Sequence, residues 1–260
     1  MLIVGCIARS LIVILGLLSF LSVAEQGIAA DSDQVKKLLD LKECQKCDLS
    51  GAALKKADLQ GAEMDYANLE KADLEGADLS FARLDEAHLS FVKASGANFK
   101  KAYIDHAEFD DAVFDNAVFR GADLGKGSLK RVKASSADFS NSKLKRTTWT
   151  DSTLIKTNFQ SAILQDADFK NANLDGANFH GADISGGNFS GANLTGTNFR
   201  NAKLQQTKFE NAQLKGAYFQ GANLTYIEEN NNPYMVDSGM RCQKLIEAGA
   251  IIDDTTKCRK

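Results

Sequence analysis

From Leu49 to Leu224 every fifth residue is Leu, Phe, Ile, Met or Trp, with Ala94 and Ala134 the two exceptions, and this register holds through thirty-six consecutive repeats. A helix turns once in 3.6 residues and a strand alternates every 2.0, so neither keeps a five-residue stripe on one side. The chain must therefore turn once per repeat, and unbroken self-similarity at a short fixed period marks a solenoid. The single proline, Pro233, lies beyond the repeats. That placement suits a ladder in which every coil needs its backbone N–H groups for the next.

If each repeat is numbered by its large apolar residue i, position i−2 reads Ala52, Ala57, Ala62, Ala67, Ala72, Ala77 and Ala82, with Gly, Ser, Thr or Val replacing Ala further on. Two positions in five are thus inward, a small residue beside each large one, as close packing requires. Position i−1 is mostly Asp or Asn in the cleanest copies, while i+1 and i+2 carry Lys, Glu, Gln, Ser and Gly, so three positions face water. Glycines such as Gly176, Gly181, Gly186, Gly191 and Gly196 recur at i+2, where a turn is needed.

Ala57-Asp58-Leu59-Gln60-Gly61, Ala72-Asp73-Leu74-Glu75-Gly76 and Ala172-Asn173-Leu174-Asp175-Gly176 resemble the A(D/N)LXX unit of the pentapeptide-repeat family, and the resemblance covers Cys47–Tyr226. It implies an all-β fold, a right-handed quadrilateral β-helix with four pentapeptides per coil. Residues i and i+20 are then stacked neighbours, about 4.8 Å apart, and nine coils make a rod roughly 43 Å long. In that register Ala94 and Ala134 flank Phe114, which spreads into the space they leave. Phe99, Phe119, Phe139, Phe159, Phe179, Phe199 and Phe219 form one aromatic column, and Leu124, Leu144, Leu164, Ile184, Leu204 and Leu224 an aliphatic one. Asn158, Asn178 and Asn198 form an amide ladder, and charges alternate through Asp111, Arg131 and Asp151, Asp110 and Lys130, and Arg146 and Asp166.

Open coils expose sheet edges, which repeat proteins cover with caps. Asp33–Cys44, with Val35, Leu38, Leu39 and Leu41 at helical spacing, predicts one helical cap. Ser238–Ala248, with Met240, Cys242, Leu245 and Ile246 apolar and Gly249 at the stop, predicts the other, joined to the rod by Asn230-Asn231-Asn232-Pro233. Ahead of them, the apolar run Leu11–Val23, with Arg9 before it and Gly27-Ile28-Ala29-Ala30 after it, reads as an export signal cleaved after Ala29 or Ala30. An uncleaved membrane anchor is the alternative. The expected divisions are a signal peptide at 1–30, an N-terminal cap at 31–46, the β-helix at 47–226, and a linker with C-terminal cap at 227–260. An exported chain belongs in a periplasm or a thylakoid-like lumen.

Apart from Cys6, the cysteines are Cys44, Cys47, Cys242 and Cys258, an even number in an exported chain, which favours oxidised pairs. Four cysteines allow three pairings. If the two pairs sit at opposite ends of the rod, bridged Cα atoms, which lie about 4.4–6.8 Å apart, leave only Cys44–Cys47 and Cys242–Cys258 within one chain. Cys44-Gln45-Lys46-Cys47 also has the spacing of a thiol redox site, but it follows a helix instead of opening one, and a structural bond is the better reading.

Asp65, Asp85 and Asp105 stack in one surface column that could share a cation, although such columns are usually just solvated. His88, His106 and His180 stand apart from one another. No Ser/His/Asp set, paired catalytic carboxylates or phosphate-binding Gly loop is present, and a filled β-helix has no interior pocket for one, so catalysis and cofactors are not expected. Tyr66, Phe81, Phe91 and Tyr103 occupy outward positions and form a possible interaction surface, scattered over different faces. The net charge of −3 gives no sign of nucleic acid binding. The expected function is that of a non-enzymatic, exported binding or structural scaffold with a protein partner and no membrane span after cleavage. The rival readings are a DNA-mimicking gyrase inhibitor, whose rod should be acidic along its length, and a CxxC redox protein. Against the first, Asp105, Glu108, Asp110, Asp111, Asp115 and Asp123 are followed by a basic band of Lys126, Lys130, Arg131, Lys133, Lys143, Lys145 and Arg146.

Overall fold

The computed structural model describes residues 31–224, 238–253, 255 and 256. The expected export signal and the Asn-rich linker therefore lie outside the described residues. Within the repeats the chain is a solenoid. Parallel bridges join residues twenty apart without a break from Glu43↔Glu63 to Lys203↔Asn223, one per pentapeptide. Twenty residues make one coil, and a coil holds four pentapeptides.

The local cause is visible in one unit. Leu49 donates its N–H to Asn68 O of the next coil at 2.7 Å, and Asn68 N–H returns to Cys47 O at 2.9 Å. The corner then closes when Ala52 N–H reaches back to Leu49 O at 3.0 Å. This four-residue turn has a positive φ at its third residue, the i+2 position, a conformation that Gly adopts without steric cost. Gly51 has φ 67° there and Gly176 φ 65°, but Tyr66, Phe81 and Phe91 are held at 62°, 61° and 60° in the same role. The next coil over-determines these corners: Phe81 N–H, for example, is fixed to Lys100 O at 2.9 Å.

Inward positions i and i−2 fill the rod along most of its length. Leu, Phe and Ala at these sites form one continuous buried cluster from Leu38 to Leu245. Each large side chain so buried contributes about 1.5–3 kcal/mol. The Phe column stacks as expected, with Phe99 and Phe119 rings 4.5 Å apart and Phe119 and Phe139 also 4.5 Å apart. A second aromatic column, Trp149, Phe169, Phe189 and Phe209, runs beside it at 5.0 to 5.8 Å and meets it edge to face. Where Ser or Thr replaces Ala at i−2, its hydroxyl is buried and donates to a carbonyl: Thr157 to Ala134 O at 2.8 Å and Thr197 to Leu174 O at 2.9 Å.

The ends differ in detail from the sequence expectation. Helix α1 spans Ser32–Leu41, capped by the Asp31 carboxylate, which accepts from Asp33 N at 2.9 Å, and ended by Lys42 at φ 59°. It stops before Cys44 because Glu43 and Cys44 have joined the ladder: Cys44 N–H donates to Glu63 O at 2.7 Å, one pentapeptide earlier than the expected start at Cys47. Of its four apolar residues only Leu38 is fully buried; Leu39 and Leu41 remain 43 % and 61 % exposed, since a short helix lying on a coil end can bury one stripe. Helix α2 spans Ser238–Glu247, buries Leu245 and stops at Gly249, φ 83°. Beyond it Ile251 takes the place of the next coil by bridging Tyr218, with Phe219 N–H donating to Ile251 O at 2.9 Å.

Candidate functional site

The outward positions form rows at coil spacing, and their chemistry is set by which side chain stands one coil above another. Asn178 Nδ2 donates to Asn158 Oδ1 at 3.0 Å and Asn198 Nδ2 to Asn178 Oδ1 at 3.0 Å, so the expected amide ladder forms. It continues downward, since Asn158 Nδ2 reaches Asp138 Oδ1 at 2.9 Å. Arg131 grips Asp111 with two donors, at 2.8 and 2.6 Å. Arg146 lies 3.7 Å from Asp166. The Lys130 ammonium is not the partner of Asp110; that carboxylate accepts the Lys130 backbone N–H at 3.1 Å and the Ser128 hydroxyl at 2.6 Å.

Two carboxyls show what the rows do to acidity. Arg131's hydrogen bonds hold Asp111 below the ordinary carboxylate value. Burial pushes Asp183 up, but hydrogen bonds from Ser185 and Gln165 and the charge of Lys203 outweigh it and leave it lowered.

The Asp65, Asp85 and Asp105 column is brought together as its spacing implies, but its oxygens are already engaged. Asp85 N–H donates to Asp65 Oδ1 and Asp105 N–H to Asp85 Oδ1, each at 3.0 Å. Arg83 bridges Asp65 at 3.1 Å and Asp85 at 3.2 Å, and His106 lies 2.8 Å from Asp105. An arginine and a histidine stand where a cation would need to sit. Among the described residues no group of three His, Cys, Asp or Glu is arranged to hold a metal ion.

Tyr66, Phe81, Phe91 and Tyr103 are each close to half exposed, at 50, 47, 48 and 53 %. They are not scattered as expected. Phe81 is the corner that opens the side carrying Arg83, Tyr103 is bridged directly to Arg83 one coil on, and Tyr66 closes the same side, its N–H donating to Asp85 O at 2.9 Å. Phe91 alone belongs to another corner. Sequence reading missed what accompanies three of them: Lys46 lies over Tyr66 at 5.8 Å, Lys101 over Phe81 at 5.6 Å and Lys71 over Phe91 at 5.8 Å, each twenty residues away. That separation is the signal that could have found them.

The Cys44 and Cys47 sulfurs are 2.06 Å apart. Cys44 is fully buried in the column below Met64 and Cys47 is 7 % exposed below Ala67, so neither sulfur is reachable as a nucleophile. Cys242 is disulfide-bonded, while Cys258, its expected partner, lies outside the described residues. A cavity of about 470 Å³ opens at the C-terminal end of the rod, lined by Thr207, Phe209, Leu214, Leu224, Leu245 and Ala248 among others. No described helix is long and apolar enough to cross a membrane.

The family described as pentapeptide repeats (8 copies) matches residues 43–80 and 82–121, and that described as pentapeptide repeat region matches 104–179, 128–199 and 162–232. No curated protein matches the chain. Among solved structures, HetL, a pentapeptide repeat protein involved in heterocyst differentiation regulation from the cyanobacterium Nostoc sp. strain PCC 7120, is 28 % identical over 75 % of this chain and 97 % of its own, with a TM-score of 0.31. QnrB1, a plasmid-mediated fluoroquinolone resistance protein, in a trypsin-treated form, is 22 % identical over 79 % of this chain and 99 % of its own, with a TM-score of 0.46. A pentapeptide repeat protein of the Arabidopsis thaliana thylakoid lumen is 34 % identical over 37 % of this chain and 68 % of its own, with a TM-score of 0.28. With a twenty-residue coil in unbroken register and family matches across most of its length, the chain belongs to the pentapeptide repeat family.

Proposed function

We propose that this protein is an exported, non-enzymatic rod of about nine right-handed coils that acts as a binding or structural scaffold through its outer rows. The observation that carries the reading is the interior: the i and i−2 side chains form one buried cluster through the coils, and the cavity that opens at the C-terminal end is lined mainly by apolar side chains. What the chain offers instead is a rigid set of outward side chains repeated at coil spacing. The side bearing Phe81, Tyr103 and Tyr66 is the proposed docking side for a protein partner, because exposed aromatics are enriched where partners bind. The leader at 1–30 places the rod in a periplasm or thylakoid-like lumen, and the Cys44–Cys47 and Cys242–Cys258 bonds fasten its two caps.

The buried sulfurs of Cys44 and Cys47 argue against thiol redox chemistry. A DNA mimic would need a continuous acidic side, whereas Arg83, Arg131 and Lys143 each neutralise a neighbouring carboxylate within the middle coils.

A photo-crosslinking residue placed at Tyr103, with one at Thr153 as control, tests the reading in native cells. A discrete protein adduct from position 103 that is absent from position 153 is expected. Absence of adducts from either position, together with inhibition of gyrase supercoiling by the purified chain, would overturn it.

A further inference from the structure

One corner of the rod carries a charge order that no packing requirement explains. Along the ridge that follows Met64, Leu84, Ile104, Leu124 and Leu144, the outward pairs are Asp65 and Tyr66, then Asp85 and Glu86, then Asp105 and His106, then Gly125 and Lys126, then Lys145 and Arg146. Acid is followed by base in successive coils. Glu86, Lys126, Lys145 and Arg146 are exposed and Asp85 and Asp105 half-buried. The neighbours on the rod hold the exposed ones only loosely. Lys126 Nζ lies 3.2 Å from a ring nitrogen of His106, Glu86 accepts only the Tyr66 hydroxyl at 3.4 Å, and Arg146 meets Asp166 at a loose 3.7 Å. Asp85 is shared with Arg83 at 3.2 Å and Asp105 with His106 at 2.8 Å. Among the described residues Lys145 enters no ion pair, unlike Lys143, which holds Asp123 at 3.0 Å.

The order is antisymmetric about one level. Asp85 and Lys145, and Glu86 and Arg146, are centred on nearly the same height, halfway between the coils of His106 and Lys126, with Asp105 and Lys126 on either side of it. A two-fold axis crossing the ridge at that height lays the acidic stretch of one rod on the basic stretch of another. It keeps each residue on its own side of the ridge, so Asp85 meets Lys145 of the second copy and Glu86 meets its Arg146, while Asp105 and Lys126 lie beside one another across the contact. A two-fold contact of this kind is isologous, so each complementary pair forms twice.

We propose that this ridge is a self-association surface on which a second copy of the chain docks antiparallel. The contact runs about three coils, roughly 14 Å at strand spacing. It is therefore narrow, and its specificity rests on charge, so association is weak and salt-sensitive. The inference is independent of where the protein resides.

Sedimentation equilibrium of the purified mature chain at about 20 mM and about 300 mM salt, which changes the screening length severalfold, tests it. The expected result is a monomer–dimer equilibrium whose dissociation constant rises about tenfold or more at high salt, in keeping with screened surface charge. Glu86→Lys and Arg146→Glu each place like charges at two points of the contact, and each variant alone is expected to be monomeric. Mixed one to one, they restore opposite charges at both points and are expected to form a heterodimer. Folding is expected to be preserved, because this column already holds its positive φ with Lys at Lys46 and Lys126 and with Glu at Glu86. Circular dichroism of each variant verifies it. A monomer at low salt, a dimer indifferent to salt, or a mixture that associates no better than its components would overturn the proposal.

Discussion

The column of Leu54, Leu74, Ala94, Phe114, Ala134 and Leu154 offers a quantitative test of how the coils pack. Ala94, Phe114 and Ala134 are all fully buried, and the Phe114 ring meets Phe99 of the preceding coil at 6.1 Å, Phe109 at 5.2 Å and Phe119 at 5.1 Å. Ala94→Leu adds three carbons to closed space and is expected to cost about 1–3 kcal/mol. Phe114→Leu removes part of a ring and three edge contacts, roughly 2 kcal/mol, about half the usual Phe→Ala cost. If the Phe ring fills the space that Ala94 leaves, the double variant restores the Leu-on-Leu stacking of Leu54 and Leu74. It should then lie within about 1 kcal/mol of the parent, a coupling of about 2 kcal/mol or more. Guanidinium unfolding followed by the fluorescence of Trp149, the single tryptophan, measures all four corners of the cycle. Additive losses of roughly 3–5 kcal/mol in the double variant would refute size complementarity between adjacent coils.

Four further outcomes are expected. Asn178→Ala breaks the ladder on both sides and should lower stability by about 1–2 kcal/mol, read from thermal unfolding. Asp111 has a folded-state pKa below its unfolded value, so its contribution is present above the unfolded pKa and is lost as pH falls through the folded one. Asp111→Asn should flatten that part of the acid limb by less than about 1 kcal/mol, since the pair is surface-screened. Gly187→Ala should destabilise by about 1–3 kcal/mol, because a Cβ there would sit 2.7 Å from Ile184 Cγ2 and 2.9 Å from Ile184 O; a concurrent Ile184→Val, which shortens the side chain but keeps Cγ2, should not rescue it. Reducing Cys44–Cys47 should speed amide exchange in α1 and leave the coils around Trp149 unchanged, since repeats transmit only nearest-neighbour coupling.

The solenoid was legible in the sequence because a five-residue period forces a turn in every repeat, and the twenty-residue stacking implied by the family resemblance then placed Phe99 over Phe119 and Asn158 over Asn178 correctly. The ends were less legible. Cys44 reads as the tail of a helix by spacing, yet an unpaired Glu63 edge in the first coil captures it, and tertiary pairing overrides local periodicity. Leu39 and Leu41 look like core residues, but a helix lying on a coil end buries a single stripe. The surface was legible in composition and not in pairing. The aromatic residues were visible as exposed, but their lysine partners emerge only when residues twenty apart are read together, and the Asp65 column looked like a cation site until Arg83, standing beside it, took its oxygens. The second aromatic column through Trp149 follows from the same spacing and needed only a wider window.

The central claim, a disulfide-fastened rod that works outside the cytoplasm through its surface, is tested most directly by fractionating native cells and taking the intact mass of the chain with and without thiol alkylation. The expected result is a non-cytoplasmic chain lacking residues 1–29 or 1–30 whose four remaining cysteines resist alkylation until reduced. A full-length cytosolic chain with reactive thiols would contradict it.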